Sequence, residues 1–321
     1  MSDPVRIAIT LGDVCGIGPE IVLKALSDPR IAAQCTVIGD RGVLERQARA
    51  LQLPMPPTLE AVTTLSADPA GLPVPGRTDA RAGDAAYRYV VHAARMASSG
   101  RVDAIVTAPL AKSAMHAAGH RYPGHTELLA ELAGGVDVRM MLANEELRTV
   151  LVSVHESLRD AIDHVRKDQV RRTIEITDAG LRRAGVERPR IAVAGLNPHA
   201  GEAGAFGTEE IDEIAPAIAD ARAAGIDASG PFPPDTVFMQ ARGFSRFDVV
   251  VAMYHDQGLI PVKYMGIDKG VNVTLGLPWI RTSPDHGTAF DIAGRGCADP
   301  ASLLAAIRAA QALARDGMRT R

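Results

Sequence analysis

The chain has 321 residues, and its 35 Lys+Arg against 38 Asp+Glu leave a formal net charge of −3. At roughly 150 residues per domain this length predicts two domains, and 46% hydrophobic with 23% charged residues is the balance of a soluble globular protein. Near-neutral charge excludes the basic footprint of a nucleic-acid binder, 4% aromatics argue against base-stacking platforms, and no apolar run reaches the roughly 18 residues of a membrane span. Cys15, Cys35 and Cys297 are too few and too scattered for a disulfide framework or a Cys-based zinc site. The N-terminal segment lacks the basic region and apolar core of a secretory signal, so the expectation is a reduced, cytoplasmic protein with no nucleic-acid or membrane partner.

Short β-branched apolar runs alternate with Ala- and charge-rich stretches. In chain order, strands are predicted over 5–10, 37–39, 102–107, 139–143, 149–154, 190–194, 248–253 and 271–275. Their near-continuous apolar content suits strands buried on both faces of a mostly parallel sheet. Helices are predicted over 80–97, 168–183, 209–224 and 302–315. Strand then helix, repeated, is the pattern of an α/β fold with crossover connections. The Pro-rich stretch 52–76 (LPMPP, LPVPG) reads as a surface excursion. The first and last strand–helix units are alike enough to share a sheet, which makes residues 1–108 with 272–321 one domain and 109–271 an inserted second.

After the first strand, GDVCGIGPE (12–20) leads into a helix with Pro at its first turn. It fits neither the G-x-G-x-x-G spacing nor the P-loop, so a structural tight turn is as good a reading as a phosphate loop.

Nine histidines outnumber the cysteines, and three share a placement. His155, His199 and His255 each follow a predicted strand, at 149–154, 190–194 and 248–253. Ligands of open α/β sheets bind beyond the carboxyl ends of strands. Three neutral imidazoles there suit Zn²⁺ or a similar first-row divalent ion, with positions left for substrate. One loop histidine is easily satisfied by a hydrogen bond; three at one sheet edge, beside the polar clusters NPHAGE (197–202) and YHDQG (254–258), point to a site. Asp235 and Asp256 can orient imidazoles or act as acid/base groups, and Asp235 also reads as a helix N-cap. His92 and His164 read as helix-surface residues, His116 and His120 as a helix end and turn. Lys263, Asn272 and Arg281, with Lys112, His125 and Thr126, form a set able to clamp a phosphate or carboxylate. Absence of G-x-S-x-G and of H-E-x-x-H counts against serine-hydrolase and zincin chemistry.

The segments GDVCGIGPEI, TAPLAKSAM, GHTELLAEL, GLNPHAGEAGAFGTEEID, GPFPPDT, AMYHDQGLIPVKY, GVNVTLGLPWIRTSPDHGTA and DIAGRGCADP extend in order from Gly12 to Pro300. Together they resemble the 4-hydroxythreonine-4-phosphate dehydrogenase family and its paralogues. The resemblance implies two α/β/α domains with a cleft between them, as in isopropylmalate dehydrogenases. It also implies a homodimer whose active site lies at the subunit interface, a metal ligand crossing between subunits. By the same resemblance His155, His199 and His255 hold one divalent ion (Zn²⁺, Mg²⁺, Co²⁺ or Mn²⁺), and His125, Thr126, Lys263, Asn272 and Arg281 contact substrate. Asp256, Asp235 or Lys112 takes the proton. The segment carrying His286, Gly287, Thr288, Ala289 and Asp291 resembles an adenosine-binding loop and accounts for NAD or NADP without G-x-G-x-x-G. The implied activity oxidises the secondary hydroxyl of 4-phosphohydroxy-L-threonine and decarboxylates the product to 3-amino-2-oxopropyl phosphate.

The chain departs from the family pattern at Leu11, Val14 and Cys15, where Pro, Pro and Ala are usual, and Phe290 stands where the isopropylmalate enzymes have Pro. Paralogue activities on 4-phosphothreonate or an aromatic cis-dihydrodiol acid are therefore the alternative, with GHTE, Lys263 and Arg281 favouring a phosphorylated substrate. A metal-dependent phosphohydrolase is the rival from another class.

Overall fold

The β-branched runs form strands that are almost wholly buried. The computed structural model describes residues 4–66, 68–266 and 270–319. Among them eleven strands run in chain order: β1 (Ile7–Thr10), β2 (Cys35–Gly39), β3 (Leu59–Ala61), β4 (Ala104–Thr107), β5 (Arg139–Ala143), β6 (Arg148–Leu151), β7 (Ile191–Ala194), β8 (Ala228–Phe232), β9 (Val249–Ala252), β10 (Val271–Leu275) and β11 (Ile280–Pro284). The architecture is α/β, in two units: Met1–Val136 with Leu277–Ala314, and Asp137–Gly276 with the C-terminal residues from Arg315.

In the first unit the strand order is β3-β2-β1-β4-β11, every pair parallel. All residues of β1 and β4 are buried. The helix Ala80–Ser98 packs on β1, β2 and β4, and its buried face is mostly Ala with Tyr89 and Val90. Asp79 caps it by accepting the Arg81 N–H. Helices Lys112–Ala117 and His125–Leu132 pack on the same helix. Gly83 makes the first of these contacts possible: a Cβ there would stand 2.1 Å from the Ala114 carbonyl oxygen and 2.2 Å from its carbon. Helix propensity alone favours alanine by about 1 kcal/mol, yet two backbones cannot give way. Gly83→Ala is therefore expected to cost about 3 kcal/mol, read as a lower urea midpoint; an unchanged or raised midpoint would refute the close approach.

In the second unit the order is β10-β5-β6-β9-β7-β8. Here β5 runs antiparallel to both β10 and β6, while β6, β9, β7 and β8 are mutually parallel. The predicted mostly parallel sheet thus holds throughout the first unit and over half of the second. The hairpin β5–β6 turns on Asn144, whose Oδ1 accepts the Glu146 and Leu147 N–H groups, each at 2.8 Å. The core gathers Leu142, Leu151, Ala192, Val250, Ala252 and Leu259.

Three differences from the sequence expectation have physical reasons. The first unit runs to residue 136 rather than 108, because Lys112–Ala117 and His125–Leu132 bury their apolar sides on Ala80–Ser98. It resumes at 277 rather than 272, because β10 pairs with β5. The helix expected over 209–224 begins as a π-turn, Glu210–Ile214, before continuing as Ala215–Ala223. No helix among the described residues is long and apolar enough to cross a membrane.

Candidate active site

In the second unit β6 and β9 are parallel neighbours, and the chain leaves the ends of both toward a histidine. Val152 and Ser153 continue the pairing by donating to the Ala252 and Met253 carbonyls. His255 opens the helix His255–Tyr264 directly beyond β9. The rings of His155 and His255 consequently stand 5.7 Å apart, centroid to centroid. They border a cavity of about 500 Å³ together with Ser153, Glu156, Tyr254 and Asp256. His255 Nδ1 lies 2.7 Å from Asp256 Oδ1. A carboxylate only accepts, so Nδ1 carries the hydrogen and the lone pair is left on Nε2. That is how a carboxylate orients an imidazole for a metal. Gln257 braces the same edge, accepting the Met253 N–H and donating to the Gly195 carbonyl beyond β7.

His199 follows β7 as expected, in an unusual backbone. Residues His199 to Ala203 have φ of 52, 55, 80, 43 and 54°, a left-handed turn in which only Gly201 escapes the Cβ penalty. L-residues cost roughly 1–2 kcal/mol each in this conformation, so something must hold it. Buried Glu210 does: Oε1 accepts the Leu196 and Asn197 N–H groups, both at 2.7 Å, and Oε2 accepts Asn197 Nδ2 at 2.9 Å. His199 faces Phe206 at 6.3 Å between centroids and is not gathered with the other two histidines. Among the described residues of one chain, no three His, Cys, Asp or Glu side chains form a metal-holding group. The His155–His255 pair fits two ligands of a divalent ion: imidazole nitrogens at one cavity, one of them with its tautomer set.

Asp235 lies exposed in the turn before the helix Val237–Ala241, whose N-cap is Thr236; the cap role expected for Asp235 is therefore corrected. Lys263 stands half-buried near the end of His255–Tyr264, and Asn272 lies on β10 with Oδ1 sealed from solvent and unpartnered.

The first unit carries the rest of the set. Lys112 begins a short helix just beyond β4 and is exposed. His125 and Thr126 open the helix His125–Leu132, whose N-cap Gly124 offers no side chain to the first-turn amides. Arg281 points from β11 into the interior, 3% exposed, and its Nη2 donates to Thr107 Oγ1 at 2.7 Å. Burial pushes its guanidinium down to about 10 against the pull of Glu127, so it stays charged at neutral pH. Burial, and secondarily the Arg281 charge, hold His125 well below its usual range. Its Nε2 is sealed and without a partner. An uncapped helix start, a buried cation and an unsatisfied neutral imidazole are the kind of set that an anion accepting from several donors would satisfy.

The segment beyond β11 is mostly exposed. Around Gly287 the space is open, whereas Ala289 has a φ of 43°. His286 Nδ1 contacts the Gly287 carbonyl at 3.0 Å. The glycine-rich motif holds this segment in place. Ile17 N–H donates to the Thr288 carbonyl at 3.0 Å, and a Cβ on Gly16 would come within 2.8 Å of Thr288. Glu20 accepts the Ala298 N–H at 2.7 Å while its ion-pair partner Lys24 donates to the Gly296 and Ala298 carbonyls. Of the two readings of that motif, the structural turn is the one observed. Glu20, Lys24 and Glu210 escaped the sequence reading: Glu20 and Lys24 pass for an i,i+4 ion pair on a helix surface, and Glu210 for part of a solvated acidic face. The pinned, open loop with its exposed glycine fits a dinucleotide's adenosine part. Leu11, Val14 and Cys15 are buried, so the departures from the family pattern sit in packed interior.

A family model described as pyridoxal phosphate biosynthetic protein PdxA matches residues 31–310. The chain is 54% identical over 309 residues to 4-hydroxythreonine-4-phosphate dehydrogenase of Beijerinckia indica subsp. indica, covering 92% of this chain and 91% of that one. It is 50% identical over 324 residues to D-threonate 4-phosphate dehydrogenase of Cupriavidus necator, covering 96% and 97%. The crystal structure of 4-hydroxythreonine-4-phosphate dehydrogenase from Klebsiella pneumoniae superposes with a TM-score of 0.91 at 46% identity, covering 98% and 99%. Fold and relatives together define an oxidoreductase of the dehydrogenase type, a chemistry that calls for a nicotinamide nucleotide and, in this family, a metal ion. The chain belongs to the pyridoxal phosphate biosynthetic protein PdxA family.

Proposed function

We propose that the protein oxidises the secondary hydroxyl of 4-phosphohydroxy-L-threonine with NAD or NADP and one divalent ion, and that the resulting β-keto acid loses CO₂ to give 3-amino-2-oxopropyl phosphate. The observation that carries this reading is the buried Arg281 beside the unpartnered Nε2 of His125 at an uncapped helix start, a place that a phosphate monoester would satisfy. Thr126, Lys263 and Asn272 complete the substrate contacts. His155 and His255 hold the ion, with His199 completing the set across a homodimer interface. A dimer through the second unit is supported by its exposed apolar side chains, among them Leu158, Phe206, Ile211, Ile260 and Tyr264. The nucleotide lies on the loop of His286, Gly287, Thr288, Ala289 and Asp291. The setting is cytoplasmic, in keeping with three free cysteines.

A nucleotide held by the loop 286–291 would supply the hydride acceptor, and a divalent ion held by His155 and His255 would supply Lewis acidity toward the same hydroxyl. The chain's own groups do the remaining work. Arg281 and His125 hold the phosphate and so fix the carbinol carbon. Asp256 keeps His255 in the Nδ1–H tautomer. Asp256, Asp235 or Lys112 takes the hydroxyl proton. Carbon–carbon cleavage then leaves its electron pair as an enolate, which regains a proton at carbon to yield the amino ketone.

A second reading, oxidation of 4-phosphothreonate, is favoured by one observation: relatives bearing that name are nearly as similar as the first. Both substrates carry the phosphate that the buried arginine calls for. The test is nucleotide reduction by the full chain, loaded in turn with Zn²⁺, Mg²⁺, Co²⁺ and Mn²⁺, over 4-phosphohydroxy-L-threonine, 4-phosphothreonate and a cis-dihydrodiol acid. Reduction with the first, accompanied by CO₂ release, is expected. Reduction with the second alone establishes the paralogue. Phosphate release without nucleotide, or reduction only with the dihydrodiol, overturns the proposal.

A further inference from the structure

Glu210 has no part in the chemistry above, yet it is 3% exposed and spends both carboxylate oxygens on the segment before His199. Such a group is expensive to bury unless its hydrogen bonds are needed. It heads a π-turn, a local irregularity that aims its carboxylate back along the chain toward the end of β7. Two backbone amides and the Asn197 side chain converge on it, and the Asn197 carbonyl in turn accepts the Ala200 N–H at 3.1 Å. Asn197 Nδ2 is shared with Glu209 at 2.6 Å. The left-handed turn carrying His199 closes over the same carboxylate: a Cβ on Gly201, at φ +80°, would stand 2.7 Å from Glu210 Oε2. Glu210 therefore braces the segment that leads into the unfavourable stretch and meets its middle residue, Gly201, and so sets the place from which the His199 imidazole projects.

We infer that Glu210 is a positioning residue for the metal, acting through Asn197 and the left-handed turn to pre-set His199. The inference rests on the proposed function in one respect, that His199 is a metal ligand. An imidazole already held where the ion needs it loses little freedom on binding, so the acid contributes to affinity without touching the metal.

The experiment titrates the metal-stripped full chain with Co²⁺, following the visible absorption of the bound ion and the heat of binding. Glu210→Gln keeps the shape but turns an amide donor toward the Asn197 donor. It is expected to weaken Co²⁺ binding by about 10- to 100-fold, to alter the absorption band, and to leave nucleotide affinity unchanged. Activity lost at limiting Co²⁺ returns at saturating Co²⁺, which a general loss of structure would not allow. Gly201→Ala disturbs the same contact from the other side and is expected to do likewise, so the idea does not depend on one variant folding. Wild-type Co²⁺ affinity in both variants, with His199→Ala impaired, overturns the inference alone. Undiminished Co²⁺ binding in His199→Ala, or none in the wild type, overturns the metal reading and the inference with it.

Discussion

Arg281→Met is expected to raise KM for the phosphorylated substrate by at least about 30-fold while lowering kcat much less and leaving the fold intact. The guanidinium is buried in β11, charged at neutral pH, and anchored by Thr107 beside His125. Losing a buried charge that meets a charged ligand group costs about 2–5 kcal/mol, nearly all of it in binding. Stability behaves differently. A buried cation carries a desolvation cost that an apolar side chain of similar volume does not, so the urea midpoint is expected to stay level or rise. Arg281→Lys is expected to recover only part of the affinity, because a point charge cannot reproduce a fork that serves Thr107 and an anion together. Inorganic phosphate should lose its competitive inhibition in parallel with KM. An unchanged KM, or a KM change shared equally by substrates without phosphate, would remove Arg281 from the phosphate role.

The same strand illustrates what a sequence can and cannot disclose. The α/β class is legible because the runs at β1, β4, β7 and β9 are continuous apolar stretches, the mark of burial on both faces. β11 reads IRTSP and gives no such mark, since its buried residues include Arg281, Thr282 and Ser283. The polarity that hides it as a strand is what equips it for an anion. β8, ASGPF, hides behind its Gly-Pro for a different reason, having few apolar residues to show.

The histidines at the ends of β6 and β9 are legible from topology alone, because parallel neighbours deliver their following residues to one place. The left-handed turn after β7 is not. Four of its five residues are ordinary L-amino acids, and the carboxylate that braces the segment before it lies seven to eleven residues further along the chain. Glu210 stands in TEEIDE, which by pattern is a solvated acidic face. Burial there is a tertiary outcome without a local signature. The glycine-rich motif is the converse case: its local signal is strong but ambiguous, and the contact of Gly16 and Ile17 with Thr288 decides it.

Asp13 in that motif yields the second large effect, on stability against pH. It is fully buried, accepts the Cys15 N–H through Oδ1 at 2.8 Å, and has an Oδ2 without a partner. Burial raises its carboxyl from 3.8 to about 6, against the Cys15 hydrogen bond and with a smaller push from Asp79. The folded state thus holds the proton more tightly than the unfolded chain. The associated stability is fully present below pH 3.8 and is lost as pH rises through 6, a cost of about 3 kcal/mol by pH 7. His125 acts in the opposite sense. Its folded value lies below 6.5, so the unfolded chain takes up a proton that the folded state refuses, and stability falls as pH drops below 6.5. The two groups offset each other in the wild type. Asp13→Asn keeps the acceptor for Cys15 but cannot ionise, which removes the first effect and exposes the second. Urea midpoints at pH 5, 6 and 7 are therefore expected to climb with pH in Asp13→Asn and to stay flat or fall in the wild type. Parallel pH profiles for the two proteins would show that Asp13 is not protonated in the folded state at pH 5, and that its buried oxygen is met by a group able to carry the charge.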